Sequence, residues 1–231
     1  MPKTTNKSMV SEDLAKEMLK AGVHFGHKES NWNPKMKPYI FGARNNIHII
    51  DLGKTIEELN KALDFIKDIK KKNGKILLVG IRPQCRSLVE EMAKKTKMPY
   101  VVFRWIGGLL TNFNTIRKRV EHLLDLEKKK ASGELGKYTK REQQKIDEEI
   151  KKLEKKFGGI KDLEGLPQAV LVVGIKGQMT AVREARRKKI PVIALVDTDS
   201  DPSLIDYPIP SNDEAISAIK FMLNKIEEAL K

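Results

Sequence analysis

The sequence predicts an α/β fold: a mostly parallel central sheet flanked by helices, of flavodoxin or Rossmann type, with an inserted antiparallel coiled-coil helical hairpin. Three observations predict it. Short runs rich in Val, Ile and Leu recur along the chain, nearly continuous in apolar character, as strands buried on both faces require. Amphipathic stretches with helical spacing separate them, and that alternation is the pattern of a parallel sheet covered by helices. From 113 to 157 the rhythm breaks: half the residues are charged and no strand signal is present.

In chain order, a helix is expected over about Ser11–Ala21, with Leu14 and Met18 on its apolar side. The first apolar run is Ile47–Ile50. Ile56, Leu59, Leu63, Ile66 and Ile69 then line one face of a helix, and Thr55-x-x-Glu58 reads as its capping box. Lys75–Gly80, Tyr100–Arg104, Ala169–Gly174 and Val192–Asp197 supply four further strands. Pro83 opens the helix after the second run, because proline suits a first helical turn; Leu88, Val89 and Met92 are its buried residues. The last helix is expected from Ser211-x-x-Glu214, with Ala215, Ile219, Met222, Ile226 and Leu230 on one face. In the charged segment Ile116, Val120 and Leu123 fall at i, i+4, i+7. Ile146, Ile150, Leu153 and Phe157 repeat that narrow seam beyond the turn Ala131–Gly136.

The chain has 231 residues, 40% of them hydrophobic, enough for a core without a disulfide or metal staple. Cys85 is the sole cysteine, which excludes an internal disulfide and fits a reducing compartment. No apolar run approaches the ~20 residues of a membrane span, and Met1–Asn6 lacks signal-peptide character, so no membrane association and a cytoplasmic location are expected. The net charge of +14 points to a polyanionic partner. That charge is uneven: residues 1–157 carry +15 and 158–231 carry −1. One face for an anion and another for packing or protein neighbours would produce this asymmetry.

Catalytic chemistry finds little support. Gly53-Lys54-Thr55 has the tail of a P-loop in the right context, but His48 stands where the phosphate-cradling glycine belongs. No GxGxxG follows any strand. His24-x-x-His27 lacks the further ligands of a metal site and reads as turn-stabilising or RNA-facing imidazoles. Cys85 has no base beside it and reads as an inert, partly buried thiol. Asp197, Asp199, Asp201 and Asp206 lie where α/β enzymes place carboxylates, yet without a basic partner they read as turn formers. No enzyme activity, cofactor or small-molecule substrate is expected.

Two polar, aromatic and basic stretches remain. The first runs from Gly22 through Asn31-Trp32-Asn33-Pro34-Lys35-Met36-Lys37 to Arg44-Asn45-Asn46; the second runs from Arg104-Trp105 through Asn112-Phe113-Asn114 to Arg117-Lys118-Arg119. Aromatics interleaved with cations and amides can stack on bases while the cations meet phosphates. The tryptophans could equally bridge the hairpin base to the sheet. The candidate RNA contacts are Lys28, Trp32, Asn33, Lys35, Lys37, Arg44 and Asn45 in the loop before the sheet. Arg82, Arg104, Asn112, Asn114, Arg117 and Lys118 extend them to the hairpin root.

The stretches GVHFGH at 22–27, NPKMKPYIFGARNNIHIIDLGKT at 33–55, RWIGGLLTNFNTI at 104–116 and VIALVDTDSDP at 192–202 resemble the bacterial small-subunit ribosomal protein S2 family, in order and spacing from about 10 to 228. The resemblance implies an α/β sandwich with a protruding coiled-coil hairpin. It implies a structural, non-catalytic role in the small subunit, binding small-subunit ribosomal RNA near the head–body junction and helping to dock ribosomal protein one beside neighbouring ribosomal proteins. Gly53, the Gly174–Gly177 turn and Asp199-Ser200 depart from the family's usual residues. The expected organisation is a globular RNA- and protein-binding domain over 1–112 and 158–231, with 113–157 as the inserted hairpin. A nucleotide- or sugar-phosphate-binding enzyme and a free RNA-binding regulator that dimerises through the hairpin are the competing readings.

Overall fold

The computed structural model describes residues 5–231 of the chain; the reading of Met1–Thr4 lies outside the described residues. Its first part is α1 (Thr5–Ala21) followed by three strands, β1 (Phe25–Lys28), β2 (Ile40–Arg44) and β3 (Ile47–Ile50). These form a small antiparallel sheet in the order β1-β3-β2. Ile47–Ile50 is therefore a strand, but not of the parallel sheet: two-residue reversal at Asn45-Asn46 forces antiparallel pairing. Both asparagines have positive φ (53° and 61°), the conformation that a tight type I′ hairpin turn demands.

The main sheet contains β4 (Ile76–Val79), β5 (Tyr100–Val101), β6 (Ala169–Val173), β7 (Val192–Val196) and β8 (Tyr207–Pro210). All neighbours are parallel, in the order β5-β4-β6-β7-β8. The central strands are buried along their whole length, as their unbroken apolar runs require. Successive residues feed two cores. Ile76, Leu78, Leu171 and Leu195 pack with α1, α2 (Leu52–Lys71), α3 (Pro83–Thr96) and α7 (Ile216–Leu230). Leu77, Val79, Val172 and Ala194 pack on the opposite face with α6 (Met179–Arg187) and with the base of α4 (Phe113–Ala131) and α5 (Lys140–Phe157).

Several boundaries differ from expectation for local reasons. Asp51, not Thr55, caps α2, accepting from Gly53 and Lys54 N–H at 2.8 and 3.4 Å. Thr55 is buried instead, its hydroxyl donating to the Pro210 carbonyl at 2.7 Å. The last helix starts at Ile216, because Asn212 Oδ1 takes the Glu214 and Ala215 N–H groups in a turn and Ser211 belongs to the β8 end. Only Tyr100-Val101 of the expected Tyr100–Arg104 strand pairs with β4. Strand β8 carries two prolines on the sheet's edge, where the missing N–H groups can face away from the ladder.

Helices α4 and α5 lie side by side, tied by His122 Nε2 to Glu149 at 3.2 Å and Lys130 Nζ to Asp147 at 2.7 Å. The seam residues Ile116, Val120, Leu123, Ile150 and Phe157 are buried and continue the sheet's second core. A reciprocal capping box between Thr139 and Glu142 starts α5. Among the described residues no helix is long and apolar enough to cross a membrane.

Candidate nucleic-acid interface

In open α/β sheets ligands enter at the carboxyl ends of the strands, where the strand order reverses. Here that reversal lies between β4 and β6, and side chains of the chain itself fill it. Arg82, just after β4, is ion-paired with Asp213, whose side chain is fully buried after β8. Gly174, at the end of β6, has φ +76°, and a Cβ there would stand 2.7 Å from Asp213 Oδ2, so glycine lets the pair close over the strand end. Burial pushes the Asp213 carboxyl up to about 6, opposed by Arg82.

The small antiparallel sheet caps the neighbouring strand end. The His27 N–H donates to Thr198 Oγ1 at 2.8 Å and the Asn33 N–H to the Thr198 carbonyl at 2.8 Å. Gly26 packs so closely that a Cβ would meet the Thr198 side chain at 2.6 Å. His27 Nδ1 lies 3.1 Å from buried Asp197, and Nε2 lies 3.5 and 3.4 Å from Asp199 and Glu214. Contact with Asp197 against the opposing effect of burial, reinforced by Asp199 and Glu214, pushes the imidazole up to about 9. Three of the four aspartates after β7 thus do have basic partners, supplied by distant residues: His27 for Asp197, Lys176 for Asp199 at 2.8 Å, and Lys35 for Asp201 at 2.6 Å, while Asp206 accepts from the Val192 N–H at 2.8 Å. The pairs made by His27 and Lys35 hold the cap on the sheet.

The remaining catalytic candidates are accounted for as well. The α2 N-terminus that completes the P-loop-like stretch is filled by the Asp51 carboxylate, which leaves no room for a phosphate. Cys85 is buried, and burial pushes its thiol up to about 11, the opposite of an activated nucleophile. His24 packs on Phe25 with ring centroids 4.0 Å apart and, lowered by burial, does not join His27. Among the described residues no group of three His, Cys, Asp or Glu side chains could hold a metal ion.

The thirteen candidate contacts separate on this frame. Lys28 and Arg44 both pair with Ile47, from opposite sides, so they lie in register on one face of the small sheet. Two strand spacings, about 10 Å, separate them. Asn45 occupies the adjoining turn, and Trp32 is 37% exposed with its ring 5.2 Å from that of His48. Lys37 is exposed. Asn33 is half-buried and caps a turn by accepting from Lys35 N–H at 3.0 Å, while Lys35 is held by Asp201 and Ser203.

At the hairpin root, Arg104, Asn112, Asn114 and Lys118 are exposed. Arg117 is committed to the protein, its Nη1 donating to the Lys161 and Leu163 carbonyls at 3.2 and 3.1 Å and bracing the return from the hairpin. Arg82 is committed to Asp213. Trp105 is buried, and its indole N–H donates to Glu184 at 3.0 Å, which ties the loop after β5 to helix α6.

Glu184, which no sequence motif singles out, organises this loop. Its carboxylate also accepts from the Gly108, Leu110 and Thr111 N–H groups and the Thr111 hydroxyl, all within 3.2 Å. Burial works to raise this carboxyl, but the bonds from Trp105, Gly108, Thr111 and Leu110 outweigh it and hold it below the usual range. The loop between β5 and α4 is thereby fixed. A legible signal existed: Glu184 falls on the same helical face as Ala181 and Ala185, a carboxylate on a buried stripe. Arg119 and Lys156, from opposite arms of the hairpin, also join Arg104 around one groove.

Fold and surface together define a class: a basic α/β protein whose sheet crevice is sealed by its own ion pairs and whose loops carry exposed cations. The family model described as "Ribosomal protein S2" matches residues 18–231. The chain is 49% identical over 217 residues to "Small ribosomal subunit protein uS2" of Thermus thermophilus, covering 94% of this chain and 85% of that one. The proteins of the same name from Roseiflexus castenholzii (50% over 212 residues; 92% and 81% covered) and Coprothermobacter proteolyticus (46% over 215 residues; 93% and 80%) are similar over the same extent. The chain belongs to the ribosomal protein S2 family.

Proposed function

We propose that this protein binds small-subunit ribosomal RNA through two groups of exposed residues: Lys28, Trp32, Lys37, Arg44 and Asn45 on the capping sheet, and Arg104, Asn112, Asn114 and Lys118 at the hairpin root. Family membership makes it a structural constituent of the small ribosomal subunit, not an enzyme. The observation that carries the RNA reading is that Lys28, Lys37, Arg44, Arg104 and Lys118 are exposed and stand outside the ion pairs found among the described residues. Unneutralised cations on loops, beside an exposed aromatic ring, favour a phosphate backbone with accessible bases.

The finer placement belongs to the same reading: RNA contact near the head–body junction, with the globular part over 1–112 and 158–231 and the hairpin over 113–157. Assistance in docking ribosomal protein one follows from the family resemblance. The exposed Phe25 and Phe41 of the small sheet are apolar surface that a protein neighbour would cover.

Equilibrium binding of the purified chain to a small-subunit ribosomal RNA fragment across a salt series tests the proposal. The affinity should fall linearly on logarithmic axes, and Lys28→Ala and Arg44→Ala should each lower the slope by about 1. Salt-independent binding, or slopes untouched by both substitutions, would refute it. In lysate the chain should sediment with small subunits and leave them only at high salt.

A further inference from the structure

We propose that the groove at the hairpin root is a binding site for one unpaired RNA nucleotide, its base against the apolar wall and its phosphate at the cationic rim. This deepens the RNA reading and rests on it. The groove is about 550 Å³ in volume and lies between the loop after β5 and the two hairpin helices, within the range of small-ligand sites, about 300–1,000 Å³. Phe103, Trp105, Ile106, Leu153 and Phe157 supply an apolar lining, while every charged residue that lines it (Arg104, Arg119 and Lys156) is basic.

The occupant follows from that combination. A duplex offers phosphates outside and keeps its bases stacked inside, so it would satisfy the three cations and leave the aromatic wall unused. An unpaired nucleotide offers both a π-face and a negative charge on one small group. Phe103 supplies the accessible aromatic ring, 37% exposed, and it also lines a second groove, from which Lys155 and Arg86 approach its centroid at 4.0 and 5.7 Å. Part of the wall is already held in place by the protein's own contacts. Trp105 is pinned by Glu184, Phe157 is buried in the core, and the loop backbone is tied at Gly108, Leu110 and Thr111. Preorganisation of this kind lowers the entropy lost on binding.

The test uses the full chain and a short small-subunit RNA carrying 2-aminopurine, single-stranded or annealed to its complement, at fixed salt. With one base stacked on the wall, the single strand should bind about tenfold tighter than the duplex, with a change in 2-aminopurine emission. Arg119→Ala with Lys156→Ala, both at the surface, should weaken single-strand binding about tenfold and leave duplex binding less affected. Phe103→Leu, which keeps apolar volume, should abolish the emission change. Equal affinity for single strand and duplex overturns the proposal. So does parental behaviour of both groove variants while Lys28→Ala and Arg44→Ala weaken binding, an outcome that leaves the broader RNA reading standing. Absence of any RNA binding removes both. Displacement from the groove by an acidic aromatic peptide, with RNA failing to compete, would assign the groove to a protein segment and overturn the nucleotide.

Discussion

Replacing His27 by glutamine should remove a pH dependence of stability that the folded protein builds between pH 6.5 and about 9. The native imidazole, gripped by Asp197, Asp199 and Glu214, is pushed from 6.5 up to about 9. The folded state therefore binds this proton more tightly than the unfolded chain. Its contribution is complete below pH 6.5 and is lost as the pH rises through about 9. The full difference corresponds to about 3 kcal/mol, and solvent screening of a ring that is still 17% exposed reduces it to about 2 kcal/mol. For a chain of this length that amounts to a fall in Tm of about 4–8 °C.

Of the other perturbed groups only Cys85, pushed by burial from 9.0 up to about 11, reaches into the alkaline end of the window, where it lowers stability above pH 9 in parent and variant alike. His24, lowered by burial, acts below pH 6.5. Asp213, raised from 3.8 to about 6, makes stability fall as the pH climbs between those values. Thermal unfolding followed by circular dichroism at pH 6.5 to 9.5 and constant ionic strength is the assay. The parent should lose several degrees, His27→Gln should start lower and stay flat up to about pH 9, and the two should converge near the alkaline end. Parallel curves would refute the argument that His27 is protonated in the native state.

Two further outcomes concern the sealed crevice and the hairpin root. Arg82→Leu strands the fully buried Asp213 carboxylate and should destabilise the fold by about 3–5 kcal/mol at pH 7. Urea midpoints should show part of that loss recovered near pH 5, where Asp213 is protonated. Gly159→Ala would drive a Cβ into the Tyr100 carbonyl and to 2.8 Å from its ring, a backbone clash expected to lose about 1–3 kcal/mol. Gly107→Ala, with no atom within 4 Å of the added Cβ, should stay within about 0.5 kcal/mol.

Much of the architecture was legible because it rests on local patterning. Unbroken apolar runs marked β4, β6 and β7, and i, i+4, i+7 spacing marked the hairpin seam that the core does bury. The small sheet was missed apart from Ile47–Ile50. Phe25–Lys28 and Ile40–Arg44 carry glycine, histidine and cations that do not alternate, and their strand state depends on pairing with β3 and docking on Thr198. The Thr55 capping signal failed because the competing carboxylate of Asp51 stands four residues earlier and because Pro210, far away in sequence, takes the threonine hydroxyl.

The sequence by itself determined that this is a basic α/β protein with a helical insertion, since periodicity and charge are properties of the chain. Its long motifs also carried the family. Tertiary structure decided which cations remain free. Arg82, Arg104, Arg117 and Lys118 look alike in the sequence, yet only Arg104 and Lys118 face solvent, because a buried carboxylate at Asp213 and free carbonyls at Lys161 and Leu163 claim the other two. Desolvated partners arrive from distant parts of the chain, and no spacing rule brings them into view. The groove formed by Arg104, Arg119 and Lys156 exists for the same reason: strand end and both hairpin helices must pack before their cations meet.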